Sequence, residues 1–381
     1  MTNPMDIVIR EVMAPRQLKN FIDFPYRLYK NDPFYVPPLR FDEMATLRKD
    51  KNPAFDYCEA RYWLAYRQER IVGRIAGILN QAYIDKWGSK YMRFGWFDFE
   101  DDDSVGLALL AQVEIWASET GMTAVHGPMG FTDLDREGML VNGFDQVGTL
   151  AAIYNYPYYP SLMEKAGYVK DADWVEYQIK VPSTMPEKLE RMAAVVRQRF
   201  RLQVIKARRP KDILPYANAI FDLINETYSH LYGVVPLTEK QIAYYTKQYF
   251  SFIRTDFVPL VTDENGKLIA CGITMPSLSA ALKKVKGRLL PFGFAYILKA
   301  LRKNNLADLY LVAVDKAWQG KGAVALLMHE ITKSYIANGI AYAESNPELE
   351  TNRNIRAIWE HYEATQHKRR RCYIRYLNEH A

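Results

Sequence analysis

The chain has 381 residues, 49% of them hydrophobic and 25% charged, with a formal net charge of +6. This composition is ordinary for a soluble globular protein, and the length suggests two domains rather than one core. It excludes a membrane-spanning chain, because no apolar run approaches the ~20 residues of a span. The opening MTNPMDIVIREV lacks a basic segment followed by an apolar stretch, so no signal peptide is expected. Cys58, Cys271 and Cys372 lie far apart and offer neither a disulfide framework nor metal spacing, which fits a reduced cytoplasm. Six histidines without a His/Cys cluster predict no metal site.

In chain order, the first half reads as a strand over Asp6–Val12 and a helix from Pro15 to about Tyr29. The Pro-rich loop NDPFYVPPL follows, then a hairpin of Tyr62–Arg67 with Arg70–Leu79. A strand over Tyr91–Phe99, a helix over Val105–Thr120 closed by Gly121, and a strand over Thr123–Gly127 come next. The half ends with a helix around Tyr158–Ala166 and a strand over Trp174–Val181. The second half repeats this order. Leu202–Ala207 is a strand, and Asp212–Tyr228 and Leu237–Ile253 are helical. A hairpin turns at Asn265-Gly266 between Phe257–Thr262 and Lys267–Met275. Then come a strand over Asp308–Val314, a helix over Gly322–Asn338, a strand over Ile340–Ser345, a helix from Asn352 to Glu363 and a strand over Arg371–Leu377. The helix Pro186–Arg199 bridges the halves.

The second half carries the main chemical signal. An apolar strand runs into Gln319-Gly320-Lys321-Gly322, and this turn opens an amphipathic helix. Successive N–H groups at a helix N-terminus hold phosphate. Glycine lets the main chain approach the ligand, and Lys321 adds a cation. The first half instead places Asp98, Glu100, Asp101, Asp102 and Asp103 after its matching strand, where carboxylates repel a pyrophosphate.

The order strand, Gln-Gly-Lys-Gly, helix resembles motif A of the GNAT superfamily of acyl-CoA N-acyltransferases, with Val324 standing where that motif has Gly or Ala. Over nearly the whole length the chain is similar to a family of bacterial cytoplasmic tandem-GNAT proteins. The stretches that carry this are NDPFYVPPL, KNPAF, VGRIAG, FGWFDFE, HGPMGFTDLDREGMLVNGFD and GRLLPFG. The resemblance implies an α/β (α+β) protein of two tandem GNAT folds, each a mixed central sheet flanked by helices. The first, over 1–182, lacks a cofactor turn. The second, over 183–381, holds acyl-CoA and carries a basic insert over 277–306.

It also implies jobs for particular residues. The backbone of Val312 and Val314 pairs with the pantetheine arm, and an N–H near Val312 or Ala313 polarises the thioester carbonyl. Gln319, Gly320, Lys321, Gly322, Ala323 and Val324 hold the pyrophosphate. Asn354, in an Asn-x-x-Ala element with Ala357, meets the pantetheine or the departing thiol. Tyr362 is the candidate acid for that thiolate, with His361 as rival. Glu344, at the end of a strand, is the candidate base, and His126 a weaker one. The aromatic segment 127–159 reads as a lid whose Phe144, Asn155, Tyr158, Tyr154 and Tyr159 line the acceptor cleft, or as a loop packed on the sheet.

The co-substrate expected is acetyl-CoA or a longer acyl-CoA, with no metal, and the acceptor a small-molecule or peptide amine. Two other readings stay open: a catalytically inactive acyl-CoA or small-molecule binding protein, and a tRNA-dependent aminoacyltransferase. In the latter, the basic insert and Lys368-Arg369-Arg370-Arg371 would face nucleic acid. The insert, with its apolar face, could instead rest on a membrane surface or pack on its own lobe. Oligomeric state is not legible.

Overall fold

A computed structural model of the chain describes residues 7–250 and 253–377. Residues 1–6, 251–252 and 378–381 lie outside the described residues, as do the side chains of Arg353 and Asn354. Asp6, Ser251 and Phe252, which end two of the expected elements, fall there. In chain order the first elements are β1 (Ile7–Glu11), α1 (Pro15–Leu28), α2 (Arg40–Leu47), β2 (Cys58–Arg67), β3 (Arg70–Asn80), α3 (Gln81–Trp87) and β4 (Tyr91–Phe99). Then come α4 (Asp103–Glu119), β5 (Ala124–Gly127), β6 (Met139–Asn142), α5 (Tyr158–Lys165) and β7 (Val169–Lys180). The chain continues with α6 (Glu187–Arg199), β8 (Gln203–Val204), α7 (Pro210–Ile213), α8 (Ala217–Tyr228), α9 (Glu239–Tyr249), β9 (Leu260–Thr262), β10 (Leu268–Pro276), α10 (Ser279–Val285) and α11 (Gly293–Arg302). Last are β11 (Leu306–Val314), α12 (Ala323–Ala337), β12 (Tyr342–Ser345), β13 (Glu348–Leu349), α13 (Arg353–Trp359) and β14 (Ala364–Tyr376). No described helix is long and apolar enough to cross a membrane.

Two compact units form, and they are not a single cut of the chain. The first takes residues 1–175, 279–293 and 367–381; the second takes 176–278 and 294–366. The first unit's sheet runs β1-β2-β3-β4-β5-β14 and ends on the first part of β7, with β6 on β14. The pairs β1–β2, β2–β3, β3–β4, β5–β14 and β6–β14 are antiparallel, and β4–β5 is parallel. The second unit's sheet starts on the rest of β7 and runs β12-β11-β10-β9-β8, with β11 parallel to β12. Each unit therefore completes its sheet with a strand from the other repeat. The C-terminal strand, read from sequence as closing the second repeat, pairs with β5 through Tyr373–Tyr376 and with β6 through Arg369–Arg371, inside the first unit. A two-residue period says which side chains share a face, but it does not choose a strand's neighbour.

This pairing removes the basic run 368–371 from the surface. Lys368 and Arg370 are buried, while Arg369 and Arg371 reach Asp173 at 2.8 and 2.7 Å. Burial pushes the Asp173 carboxyl up, but Arg371, Arg369 and Lys170 outweigh it and hold its pKa at about 2. The run is internal framework, and a nucleic-acid reading loses that support.

The first unit's core packs α4 on the sheet through Val105, Leu109, Leu110, Val113 and Trp116. A buried ion pair joins Arg74 to Asp98 at 2.7 Å, and Tyr29 donates to the other Asp98 oxygen at 2.9 Å. Asp98→Ala would strand a buried guanidinium, so a loss of about 3–5 kcal/mol in urea unfolding is expected. An unchanged midpoint would show that the pair carries no weight.

Candidate functional site

The second unit's centre is β11. Its last parallel partner pair with β12 is Leu309 with Ser345, and the Asn346 N–H still reaches the Leu309 carbonyl at 2.9 Å. Beyond it the two strands separate. On the other side, the β10 register slips between Ile273 and Thr274, leaving Tyr310 as an extra residue. Such a bulge re-aims a strand and ends its pairing. Among the described residues, 312–314 thus have β10 on one edge and no strand on the other.

Backbone groups of alternate residues point to opposite edges. The Val312 N–H donates to the Tyr228 hydroxyl at 3.3 Å, and that hydroxyl donates to the Val312 carbonyl at 3.0 Å. The Val314 carbonyl accepts from Gln319 Nε2 at 3.1 Å. Val312 and Val314 therefore face the open edge, as a pairing role requires. Ala313, opposite Cys271, faces β10, so its N–H does not point to that edge. Tyr228 comes from the end of α8 and is the residue that sequence reasoning missed. A lone Tyr closing a helical pattern carries no signal of what it will touch.

The turn after β11 is tied down by Asp315, which accepts from the Ala317 N–H at 2.8 Å and from Lys267 at 2.7 Å. Burial pushes the Asp315 carboxyl up, but Lys267, the Ala317 N–H and Lys321 outweigh it and keep it below the usual carboxylate range. Gly320 and Gly322 have φ of +73° and +84°. Gly322 is the N-cap of α12 and offers no side chain to it. Among the described residues, the N–H groups of Gly320, Gly322, Ala323 and Val324 take no acceptor, as expected for an uncapped helix start. Val324 packs its side chain on the core, so its extra methyls do not fill the turn. Lys321 is exposed and stands 5.3 Å from the Trp318 ring centre.

Gly322 has a second constraint. A Cβ there would lie 2.6 Å from Val196 Cγ2 on α6. Gly322→Ala is expected to cost about 2–4 kcal/mol, from the left-handed φ and the overlap together. Adding Val196→Ala should recover part of that loss in chemical denaturation; no recovery would leave strain in the turn as the whole cause.

The first unit has the same strand–turn–helix, with its helix start and strand edge bonded by the protein's own side chains. Asp102 caps α4, accepting from the Ser104 N–H at 3.0 Å. Hydrogen bonds from Ser104 and Arg67 hold its carboxyl below the usual range. Past the last β4–β5 pair, the Phe99 N–H donates to the Tyr159 hydroxyl at 3.0 Å and the Phe99 carbonyl accepts from Tyr158 at 2.6 Å. Both tyrosines come from α5 and pack on the Phe99 ring at 5.3 and 4.4 Å. A cavity of about 470 Å³ beside the turn is lined by Arg27, Arg70, Glu100, Asp101, Tyr156 and Tyr158, among others.

The remaining expected residues fall in different places. Asn155 is buried, with its amide bonded to the Leu140 N–H at 2.7 Å and the Leu140 carbonyl at 3.0 Å, so it clasps the chain. Phe144 packs in a small cluster with Tyr29, Leu140 and Tyr154, and Tyr158 is spent on Phe99. The segment 127–159 is thus packed on its own unit, partly as β6. His126 is fully buried, 3.5 Å from Asp171, and burial lowers its pKa. Glu344 lies on β12, in register with Asp308 and Gln178. Tyr362 faces Thr332 at 3.5 Å beside a cavity of about 20 Å³, room for one water. His361 follows the last turn of α13. The Asn354 side chain lies outside the described residues.

Glu348 was not foreseen. It stands three residues past β12, at the end where β11 and β12 part. The Trp359 indole donates to its two oxygens at 3.0 Å each. Burial is the main cause that raises its pKa to about 8 against the bonds from Trp359 and Ser345, and Glu176 adds to the rise. A carboxyl poised there accepts a proton near neutral pH. Sequence alone offered only a Glu after a Pro in a loop.

Two units of this strand order, each with a splayed central strand feeding a helix, define a tandem GNAT fold. Among solved structures, a tandem GNAT protein from the clavulanic acid biosynthesis pathway aligns over 99% of this chain and 100% of its own, with a TM-score of 0.57 at 12% identity. A GCN5-related N-acetyltransferase from Sphaerobacter thermophilus aligns over 99% and 98%, with a TM-score of 0.52 at 12% identity. In sequence, the chain is 27% identical to Protein YghO of Escherichia coli (strain K12), covering 96% of this chain and 94% of that protein. It is 28% identical to a bacterial ceramide synthase of Caulobacter vibrioides (strain NA1000 / CB15N), covering 98% of each. No protein-family model matches the chain.

Proposed function

We propose that the second unit binds an acyl-CoA and transfers its acyl group to an amine. The observation that carries this is the contrast at one position of the repeat. The first unit caps its helix with Asp102; the second leaves the start of α12 uncapped beside Lys321. Uncapped N–H groups beside a cation suit the CoA pyrophosphate. The pantetheine arm pairs with Val312 and Val314, and Tyr228 swings off Val312 to admit it. The Val312 N–H then donates to the thioester carbonyl oxygen. Glu348, directly or through one water, takes a proton from the ammonium or the attacking amine. The amine nitrogen bonds to the acyl carbon, the carbon–sulfur bond breaks, and the thiolate takes up a proton as CoA leaves.

The likeness to a bacterial ceramide synthase supports a finer reading, since a ceramide is an amide of a long-chain amine and a fatty acid. A long-chain acyl donor and a lipid amine fit that likeness better than acetyl-CoA and a peptide. A second reading, acyl-CoA binding without turnover, is favoured by Tyr228, which already satisfies both Val312 groups. Calorimetric titration with CoA, acetyl-CoA and palmitoyl-CoA, followed by an amide-product assay with a long-chain amine, tests all of this. Binding without product selects the second reading, and no binding removes both.

A further inference from the structure

We propose that the helix α11 docks the protein on an anionic lipid surface. Phe294, Tyr296 and Leu298 are 49%, 39% and 43% exposed. Three large apolar or aromatic side chains exposed within five residues exceed the scattered surface leucine that needs no explanation. The helix α11 shows why. Its apolar residues Phe294, Ile297, Leu298 and Leu301 recur at helical spacing, but only Leu301 is fully buried while Phe294 and Leu298 face solvent. The apolar stripe is wider than the packing that covers it.

Cations close this stripe. Lys299, Arg302 and Lys303 stand at its C-terminal end, and residues 294–306 hold no acid. These three make no ion pair among the described residues, and all are exposed. Lys283, by contrast, donates to the Pro33 carbonyl and belongs to the framework. Aromatic and leucine side chains flanked by Lys and Arg match the interior and headgroups of an anionic bilayer surface. A nucleic acid would leave the apolar side chains uncovered, so charge and hydrophobicity together favour lipid. No described helix can span a bilayer, so the contact is interfacial. This goes beyond the acyl-transfer reading and needs no turnover.

Co-sedimentation of the full chain with phosphatidylcholine vesicles, with and without phosphatidylglycerol, tests it. Expected are binding to the anionic vesicles, weaker binding to the neutral ones, and a fall with salt. Phe294→Ser/Tyr296→Ser/Leu298→Ser and, separately, Arg302→Glu/Lys303→Glu should each weaken vesicle binding about tenfold or more. Met13→Ser, another exposed apolar side chain, should leave it unchanged. Thermal midpoints within error of the unmodified chain show that the variants fold. The proposal is overturned by no binding to anionic vesicles or by equal binding of the variants. Concentration-dependent self-association that the triple substitution abolishes would overturn it too, because a second copy then covers the patch.

Discussion

Glu348→Gln lowers the rate of amide formation by about 10²–10⁴-fold while leaving acyl-CoA affinity within about twofold. The amide side chain keeps the size of the carboxyl and an oxygen for the Trp359 indole, so the change removes the base and little else. With a pKa of about 8, the unmodified protein is expected to gain rate close to tenfold per pH unit up to that value and to level off above it. The variant lacks this rise. A stability readout accompanies it without any assay of transfer. The native state keeps the Glu348 proton to about 8, whereas the unfolded chain releases it near the ordinary glutamate value of 4.5. Between those values the unfolded state binds fewer protons, so stability falls as pH rises, and the variant flattens the slope. Glu344→Gln should change the rate by much less. If Glu344→Gln is the one that abolishes the rise, the base belongs to β12 and not to Glu348.

The second large effect is electrostatic and tests the cofactor turn. Gln319→Glu with Lys321→Glu changes the exposed turn by three charges; because Gln319→Glu also gives up the bond to the Val314 carbonyl, Lys321→Glu alone is the companion variant. Each unit of charge near a phosphate in water is worth about 1 kcal/mol at close range, so three should lower CoA affinity by roughly 100–200-fold at low salt. The loss shrinks as salt screens the turn. A substitution at Gly322 is a poorer probe, since any side chain there meets Val196 and loses stability for reasons unrelated to CoA. Unchanged CoA affinity in the double variant, measured by calorimetry, would move the cofactor away from α12.

The repeat itself was legible in the chain. Asn265-Gly266, Gly121 and Gly339 punctuate hairpin and helices by local backbone preference, and local preference acts over a few residues. The Gln319–Gly322 turn and the acidic turn at 98–103 were legible for the same reason, because a strand–turn–helix is contiguous. Asp102 as a helix cap follows from residue type and position alone.

Neighbours across the fold were not legible. Nothing local in Arg369, Arg370 and Arg371 says that alternate residues are buried or that Asp173 waits opposite them. Nothing in Asn155 distinguishes a clasp on Leu140 from a contact for substrate. Local spacing and turn chemistry thus set the order of elements and the place of the glycine turn before α12. Strand exchange between the repeats, the bulge at Tyr310, the Tyr228 hydroxyl on Val312 and the raised pKa of Glu348 arise only when distant segments meet. Edge pairing, desolvation and hydrogen bonding depend on what lies opposite a residue, and that is a property of the folded chain.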